Sequence, residues 1–567
     1  MFPRITKFTK NGKTYEYLVI SRSTYNKGKG STTENISVLG NIKQFKAVDA
    51  SNLIDGFIRI FQLENYSLSD GVEILQSLEY GEIIFWRKIW DQLDLSSIIK
   101  QQVCLRDTRV KLEVEKYVQM MVINRLVDPL SKLGVSRWIE TTCYKEMKDY
   151  YALPLDVNYF YRSMDHLLKI KDSLELALFE KLRNLFSINV KLTFYDITST
   201  FFYSDACPIS KNGFSRDKRP DKVQIVIGVV TSYEGYPIKH YIFEGNTKDE
   251  TTVAQVVDGL KKEYTIEETV FVGDRGMITK LNLDKITGEG FDYIMGVKNR
   301  QDGKCKMLFS EEIFMGKDFL VYKGLKIKEK HIKVKDFLFW KVKEILKESK
   351  LAVAADNFAS LAHEINKLND KKEPDYQSFK IILKEAFPEI DSKIIQKIKG
   401  VIKKHRGEFE KSLRYIICLN EEREKVAKRK REEYIVKFSK ELEGLFSKGN
   451  EKRETTETEK TLSKIFEGYK AKFRKFFDIQ RDKDTQKAIG FTLNQQEIFL
   501  EKRFDGIFTL LTSSKGLEMT KVLDSYKNLK EVEMLFDDLK NFVDIRPVRH
   551  WLKERVCAHV SAFCPCF

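Results

Sequence analysis

The sequence predicts an α/β fold in which a central sheet is flanked by helices. Two observations support this prediction: short β-branched and aromatic runs typical of buried strands, and longer stretches between them with one apolar helical face. Residues 190–300 read in order as strand, hairpin, helix, strand, helix and strand. A carboxylate stands at the end of two of these strands, Asp196 within the end of the first and Asp274 directly after the strand that follows the first helix.

Each element follows from a local pattern. The segment around Asp196 is too short for a helix, and two apolar runs flanking Y-E-G-Y-P predict a hairpin. Val253, Val256, Val257 and Leu260 have the spacing of one helical face. The predicted strands are 190–197, 223–230, 238–245, 269–273 and 293–297, and the predicted helices are 249–264 and 279–287.

Two carboxylates on neighbouring strands can share divalent metal ions. A carboxylate within a sheet is costly to desolvate unless it is hydrogen-bonded or binds a cation. Two-metal sites hold ions about 3.5–4 Å apart and activate a nucleophile for phosphodiester cleavage. Such a site needs a third carboxylate, and Glu533 is the candidate, in a predicted helix at 520–540 that follows a strand at 506–511. Taken alone, Asp196 could instead cap a turn through the hydroxyl residues after it.

This arrangement resembles the ribonuclease-H-like catalytic core of DDE transposases encoded by bacterial insertion sequences. It is similar to the group whose last catalytic helix reads Tyr, two residues, Arg, three residues, Glu, six residues, Lys. Tyr526, Glu533 and Lys540 stand at that spacing, with Leu529 in the Arg position. Other matching stretches are G-F-S-R-D-K-R-P-D-K (213–222), F-E-G-N-T (243–247) and G-D-R-G-M (273–277).

The resemblance implies a mixed sheet flanked by helices and a transposase that binds the ends of its insertion sequence, cleaves strands and transfers them. It implies Asp196, Asp274 and Glu533 as catalytic ligands of two Mg²⁺ (or Mn²⁺) ions, and Tyr526 and Lys540 as DNA contacts. The implied partners are double-stranded DNA, as transposon ends and target, and a second copy in a homodimeric synaptic complex. The alternative is a decayed or host-retained DNA-binding protein on the same fold that no longer cuts.

Basic residues near the two aspartates are further candidates for DNA contacts. The loop 211–222 lies between the first two core strands, and Lys239 stands on the far arm of the hairpin. We expect the loop to hold DNA phosphates. Its candidate residues are Arg216, Lys218 and Arg219. Arg275 could neutralise a scissile phosphate or pair with a core carboxylate, and the sequence favours neither.

Composition agrees with a polyanionic partner inside the cell. The 567 residues include 99 Lys and Arg against 83 Asp and Glu, a net charge of +16, which favours DNA through counterion release. The N-terminus lacks the apolar core of a signal peptide, and the apolar runs are shorter than the roughly 20 residues that span a bilayer. The eight cysteines form no C-x-x-C pairs, as expected in a reducing compartment. We therefore expect a cytoplasmic, nucleoid-associated protein without a membrane partner.

The core is predicted to be interrupted by a long insertion. The stretch 319–340 alternates like strands, and helices are predicted at 352–368, 379–385 and 394–404. The charged stretch 421–445 is interpreted as a solvated helical surface. The predicted domains are a β-module at 1–48, a helical DNA-binding region at 49–188, the first part of the core at 189–300, the insertion at 301–502, and the last part of the core with C-terminal helices at 503–567.

The C-terminus carries two further expectations. Cys557, His559, Cys564 and Cys566 cluster there, but a terminal tail cannot easily orient four ligands, so zinc binding is not expected. Pro565 stands where the family continues into another apolar helix. This predicts a truncated copy that leaves the apolar side of Trp551, Val556 and Val560 without a partner.

Overall fold

The chain forms two compact units, Met1–Leu78 and Glu79–Phe567. The computed structural model describes residues 2–10, 13–26, 30–45, 47–60, 78–150, 152–186, 188, 190–203, 205–264, 266, 269–309, 318–349, 355–370, 375–446, 455–468, 471–546 and 548–563. In this part of the chain, no helix has both the length and the apolar character needed to cross a bilayer.

The smaller unit is an antiparallel sheet of three strands with one helix. The strands are β1 (Phe2–Lys10), β2 (Lys13–Asn26) and β3 (Gly30–Asn41), and the helix is α1 (Ala47–Ile60). Residues 14–21 and 35–39, whose alternation predicts two strands, lie within β2 and β3, whereas β1 was not predicted.

The larger unit begins with helices that share one apolar core. They are α2 (Gly81–Gln92), α3 (Leu95–Arg106), α4 (Val114–Val127), α5 (Lys132–Ile139), α6 (Val157–Lys169) and α7 (Lys171–Phe186). The last helix, α21 (Lys553–Phe563), packs on α4 and α6 and adds Ala558, Ala562 and Phe563 to the same core.

The expectation that the last helix lacks a partner is wrong for two of its three residues. Val556 and Val560 are fully buried, because they pack into the apolar layer beneath the main sheet. Trp551, which precedes the helix, is 65% exposed. Pro565, Cys564 and Cys566 lie outside the described residues, so the zinc expectation has no structural test.

A mixed sheet of nine strands forms the centre of the larger unit. The strands follow the order β6-β5-β4-β7-β8-β14-β11-β10-β9. β4 pairs in parallel with β7, and β7 with β8, while the other neighbours are antiparallel. The strands are β4 (Leu192–Phe201), β5 (Gln224–Ser232), β6 (Pro237–Glu244), β7 (Val270–Gly273), β8 (Asp292–Gly296), β9 (Leu320–Tyr322), β10 (Leu325–Lys333), β11 (Ser412–Leu419) and β14 (Ile507–Thr512).

Helices cover both faces of this sheet. α8 (Asp249–Lys262), α9 (Lys280–Gly288) and α10 (Gly303–Leu308) bury apolar residues on one face. α19 (Met519–Lys527) and α20 (Leu529–Asp537) bury theirs on the other. Every residue of β5 is buried, as its continuous apolar sequence requires. The predicted α/β class, a mixed sheet flanked by helices, is therefore confirmed.

The region between β8 and β14 supplies strands to the sheet as well as separate helices. β9, β10 and β11 extend the sheet beyond β14, and β11 was not predicted. The alternation expected through residue 340 is wrong after Lys333, where α11 begins. Phe337, Leu338, Val342 and Ile345 recur at helical spacing and are buried on one face.

The remaining elements form two smaller apolar clusters. Around the first lie α11 (Val334–Glu348), α12 (Ala355–Asp370), α13 (Tyr376–Ala386) and α14 (Ser392–His405). Around the second lie α15 (Glu421–Phe446), α16 (Thr455–Glu467), α17 (Ala471–Arg474), β12 (Phe477–Arg481), β13 (Ala488–Leu493) and α18 (Gln495–Lys502).

Candidate functional site

Two carboxylates meet where β4 and β7 stop pairing. The parallel ladder between these strands ends at the pair Tyr195 and Gly273. Asp196 is the next residue of β4, and Asp274 is the residue that follows β7. Because side chains alternate along a strand, Asp196 faces the same side as Phe194, the side that α19 and α20 cover. The register therefore places the two carboxylates side by side.

Asp196 does not end its strand, contrary to the prediction. β4 continues to Phe201 because its antiparallel pairing with β5 runs on to the pair Phe201 and Gln224. On that side Asp196 stands opposite Val229. The carboxylate is thus held in the sheet by one neighbouring strand, while the other strand has just ended and leaves an opening.

Glu533 lines the same opening from α20. This helix packs across β4, burying Val532 and Phe536 while Glu533 stays exposed. A cleft of about 690 Å³ is lined by Asp196, Asp274 and Glu533 together. The structure thus brings the three predicted carboxylates to one cleft.

The predicted single helix at 520–540 is interrupted. α19 ends and α20 begins at Asn528, and a π-helical segment, Asp538–Phe542, follows α20. Tyr526 and Glu533 line the cleft, but Lys540 is not among its lining residues. The Lys540 ammonium instead lies 2.7 Å from the buried carboxylate of Asp217.

The charges in the cleft favour a bound cation. The pKa of Asp196 is raised to about 7, chiefly by burial and also by the nearby charges of Asp274 and Glu533, while a backbone hydrogen bond from Ile197 and the charge of Arg216 act in the opposite direction. Like charges that crowd a half-buried carboxylate disfavour its ionised form. A bound cation would remove that penalty.

Tyr526 connects the helix side of the cleft to the sheet. Its hydroxyl lies 3.4 Å from an Asp274 carboxylate oxygen and donates to it. Burial raises the pKa of Tyr526, and the charge of Asp274 adds to this effect, so the phenol keeps its proton. The ring packs on Gly296 so closely that a Cβ there would lie 2.3 Å from the hydroxyl.

The family model described as "Transposase DDE domain" matches residues 204–556, which include Asp274 and Glu533. The chain belongs to the DDE transposase family. Asp196 lies just before the matched segment. No curated protein is similar enough in sequence to count as a match.

Two solved transposase structures align with this transposase at low similarity. A piggyBac transposase synaptic complex with hairpin DNA shares 10% identity over 55% of this chain and 82% of that chain, with a TM-score of 0.24. A Mos1 transposase paired-end complex with the left transposon end shares 12% identity over 65% and 90%, with a TM-score of 0.14. The family assignment rests on the sequence match and not on these alignments.

Basic side chains surround the carboxylates of the transposase cleft. Its lining includes Arg275, Lys323, Arg423, Lys527 and Lys530. Only Arg275 among these five residues was selected from the sequence. Of the other four, Lys527 and Lys530 could have been found from the sequence, because they flank Leu529, one turn from Glu533. Arg423 belongs to α15, which was interpreted as a solvated surface, and nothing in its local sequence indicates the cleft.

The basic loop 211–222 is anchored beside β4 instead of lining the cleft. The backbone N–H of Arg216 donates to the Ser199 hydroxyl at 3.0 Å, and its guanidinium pairs with Asp249 at 2.9 Å. Arg219 pairs with Asp221 at 2.8 Å. Lys218 is exposed.

The structure corrects the expectation that Lys239 adds to this basic loop. It is only 3% exposed, because β6 packs under α7 and α8 and buries its stem. Its ammonium pairs with Asp172 and Glu263. Lys239 therefore stabilises the fold and is not part of a basic surface.

The donor set of the cleft fits a hard divalent cation. Carboxylate oxygens are the ligands that Mg²⁺ and Mn²⁺ prefer, and the crowded charge at Asp196 favours a cation there. Among the described residues, no three His, Cys, Asp or Glu side chains already converge on one metal position.

Proposed function

We propose that this transposase cleaves DNA strands at the ends of its insertion sequence and transfers them to target DNA, with Asp196, Asp274 and Glu533 as the catalytic metal ligands. The observation that supports the proposal is the register of β4 and β7, which sets two carboxylates side by side in the cleft that Glu533 also lines. The Tyr526-Glu533-Lys540 spacing in the last helices points to Glu533 as the third ligand.

Each part of the cleft has a role in this reaction. Two Mg²⁺ or Mn²⁺ ions, when bound, would lower the pKa of the attacking hydroxyl and stabilise the leaving 3′-oxygen. Tyr526 holds the Asp274 carboxylate in position through its hydroxyl. The basic residues that line the cleft attract the phosphodiester backbone. They are Arg275, Lys323, Arg423, Lys527 and Lys530.

The substrate in this proposal is double-stranded DNA, first as transposon ends and then as target. Two copies of the chain pair two ends in a homodimeric synaptic complex, acting on nucleoid DNA in the cytoplasm. Lys218, exposed beside β4, adds a phosphate contact. Arg216, Arg219 and Lys540 reach DNA only if they exchange their present carboxylate partners for phosphates.

The test is nicking of DNA that carries the terminal repeats flanking the gene. Asp196→Asn, Asp274→Asn and Glu533→Gln each remove one ligand charge with little change in shape, so each is expected to abolish metal-dependent nicking and to leave DNA binding intact. Glu531→Gln is the matched control, because Glu531 is exposed on the same helix but does not line the cleft. Wild-type nicking by any of the first three variants would remove that residue from the site.

A further inference from the structure

A second pocket, separate from the carboxylate cleft, is strongly basic. It has a volume of about 540 Å³ and lies between the end of α4, the start of α5 and the segment that precedes and begins α21. Its lining holds five Lys or Arg side chains and a single carboxylate, Asp544. The basic residues are Arg125, Lys132, Arg546, Arg549 and Arg555.

Two of these cations are buried without a carboxylate partner in the described part of the chain. Arg125 is 8% exposed and Lys132 is 4% exposed. Arg125 donates to the Asp544 backbone carbonyl at 3.4 Å, and both cations lie over the Phe563 ring. Burying a cation without a counter-charge is unfavourable. Burial lowers the pKa of both side chains, and an anionic ligand would offset the cost of their charged forms.

The other three cations differ in whether a carboxylate neutralises their charge. Arg546 pairs with Asp217 and Arg555 with Asp165, each at 2.7 Å. Arg549 is exposed and forms no ion pair among the described residues. Arg125, Lys132 and Arg549 thus remain available to one anion, and Asp544 offsets one of the three charges.

His559 adds a hydrogen-bond donor to the same pocket. Burial lowers its pKa, and the nearby charges of Lys132 and Arg125 lower it further, so the ring is neutral. The Lys132 ammonium donates to Nδ1 at 3.1 Å, which leaves the ring proton on Nε2. That Nε2 is buried and makes no hydrogen bond of normal geometry among the described residues, with the Ile545 backbone near the ring. An anionic oxygen would satisfy it.

We propose that this pocket binds a backbone phosphate of the DNA on which the transposase acts. Guanidinium and ammonium groups together are the usual protein ligands of phosphate. The Val548 N–H, next to Arg549 of the pocket, donates to the Phe201 carbonyl of β4, and Phe201 lies about 17 Å along that strand from Asp196, at roughly 3.3 Å per residue. That distance is too large for the scissile phosphate and matches a phosphate elsewhere on the same duplex. The inference rests on the proposed function for the identity of the nucleic acid.

The experiment measures affinity for terminal-repeat DNA against salt concentration, for the full chain and three variants. Lys132→Met and Arg549→Gln are expected to weaken binding roughly tenfold and to reduce the slope of log K against log [salt] by about 1 each. Arg183→Gln is the control, because Arg183 is exposed on α7 and does not line the pocket. Arg549 is exposed, so its variant keeps the test valid should Lys132→Met fail to fold.

Two further comparisons are needed. One distinguishes DNA phosphate from free phosphate as the ligand, and the other distinguishes this proposal from the cleavage proposal. Thermal unfolding with inorganic phosphate, against chloride at equal ionic strength, reports a site for free phosphate. Stabilisation that Lys132→Met abolishes, together with unchanged DNA affinity of both variants, would overturn the DNA assignment. Wild-type affinity and salt slope in both variants, without any stabilisation by phosphate, would overturn the site itself, even where the wild type cuts DNA. Weakened binding in a chain that does not nick DNA supports the pocket and counts only against the cleavage proposal.

Discussion

Replacing Glu175 by Gln is expected to destabilise the larger unit strongly at neutral pH and less in acid. Glu175 and His240 are 2% and 1% exposed, and the His240 ring Nδ1 and the Lys171 ammonium contact the Glu175 carboxylate. His240 Nε2 lies 3.2 Å from the Ser561 hydroxyl, so the network joins α7, β6 and α21. Burial alone would raise the pKa of Glu175, but His240 and Lys171 together lower it to about 2.

The size and sign of the effect follow from that pKa. Lowering it from 4.5 to about 2 corresponds to about 3 kcal/mol of stability at pH 7. Because the folded-state pKa is depressed, this stability is present above the unfolded value and is lost as the pH falls toward 2. We expect the difference in unfolding free energy between wild type and variant to be about 3 kcal/mol at pH 7 and about half of that near pH 3.

Urea denaturation at both pH values measures this difference. Glu180→Gln is the matched control, since Glu180 is exposed on the same helix, and it is expected to stay within about 0.5 kcal/mol of wild type. A Glu175→Gln variant as stable as wild type at pH 7, or equally destabilised at both pH values, would refute the reasoning.

Three other predictions concern the cleft and DNA. Gly296→Ala should destabilise the fold by about 1–3 kcal/mol and reduce nicking, because its Cβ would lie 2.3 Å from the Tyr526 hydroxyl, whereas Gly288→Ala, with no atom within 4 Å, should do neither. DNA affinity should fall steeply with salt, with a slope of roughly −0.9 per phosphate neutralised; flat binding between low and high salt would count against the electrostatic argument. Cleavage should require a dimer, as judged by light scattering and nicking of the same fractions, and full activity in a strict monomer would rule out pairing.

The parts of the fold and site that depend on residues close together in the sequence could be predicted from it. β5 is apolar on both faces, and the helical spacing of Val253, Val256 and Leu260 is visible along the chain. Asp196 and Asp274 stand out because carboxylates interrupt or follow buried strands. The prediction that Asp196 ends its strand was wrong, since the end of β4 depends on its pairing with β5 and not on its own residues.

The remaining parts depend on contacts between distant residues. β11 joins the sheet by pairing with β14, about ninety residues later in the chain, and no local pattern signals that partner. Arg423 reaches the cleft because α15 follows β11 directly. The burial of Val556 and Val560 likewise depends on tertiary packing that a sequence pattern does not contain.

The most direct test of the central claim exchanges a proposed ligand for a softer one. In Asp196→Cys, Asp274→Cys and Glu533→Cys, a thiolate replaces a carboxylate, and thiolates bind Mn²⁺ in preference to Mg²⁺. We predict that each variant fails to nick terminal-repeat DNA in Mg²⁺ and regains part of its activity in Mn²⁺, while Glu531→Cys matches wild type in both ions. Equal activity of a variant in the two ions, or no recovery in Mn²⁺ at any of the three positions, would contradict a metal site built from these carboxylates.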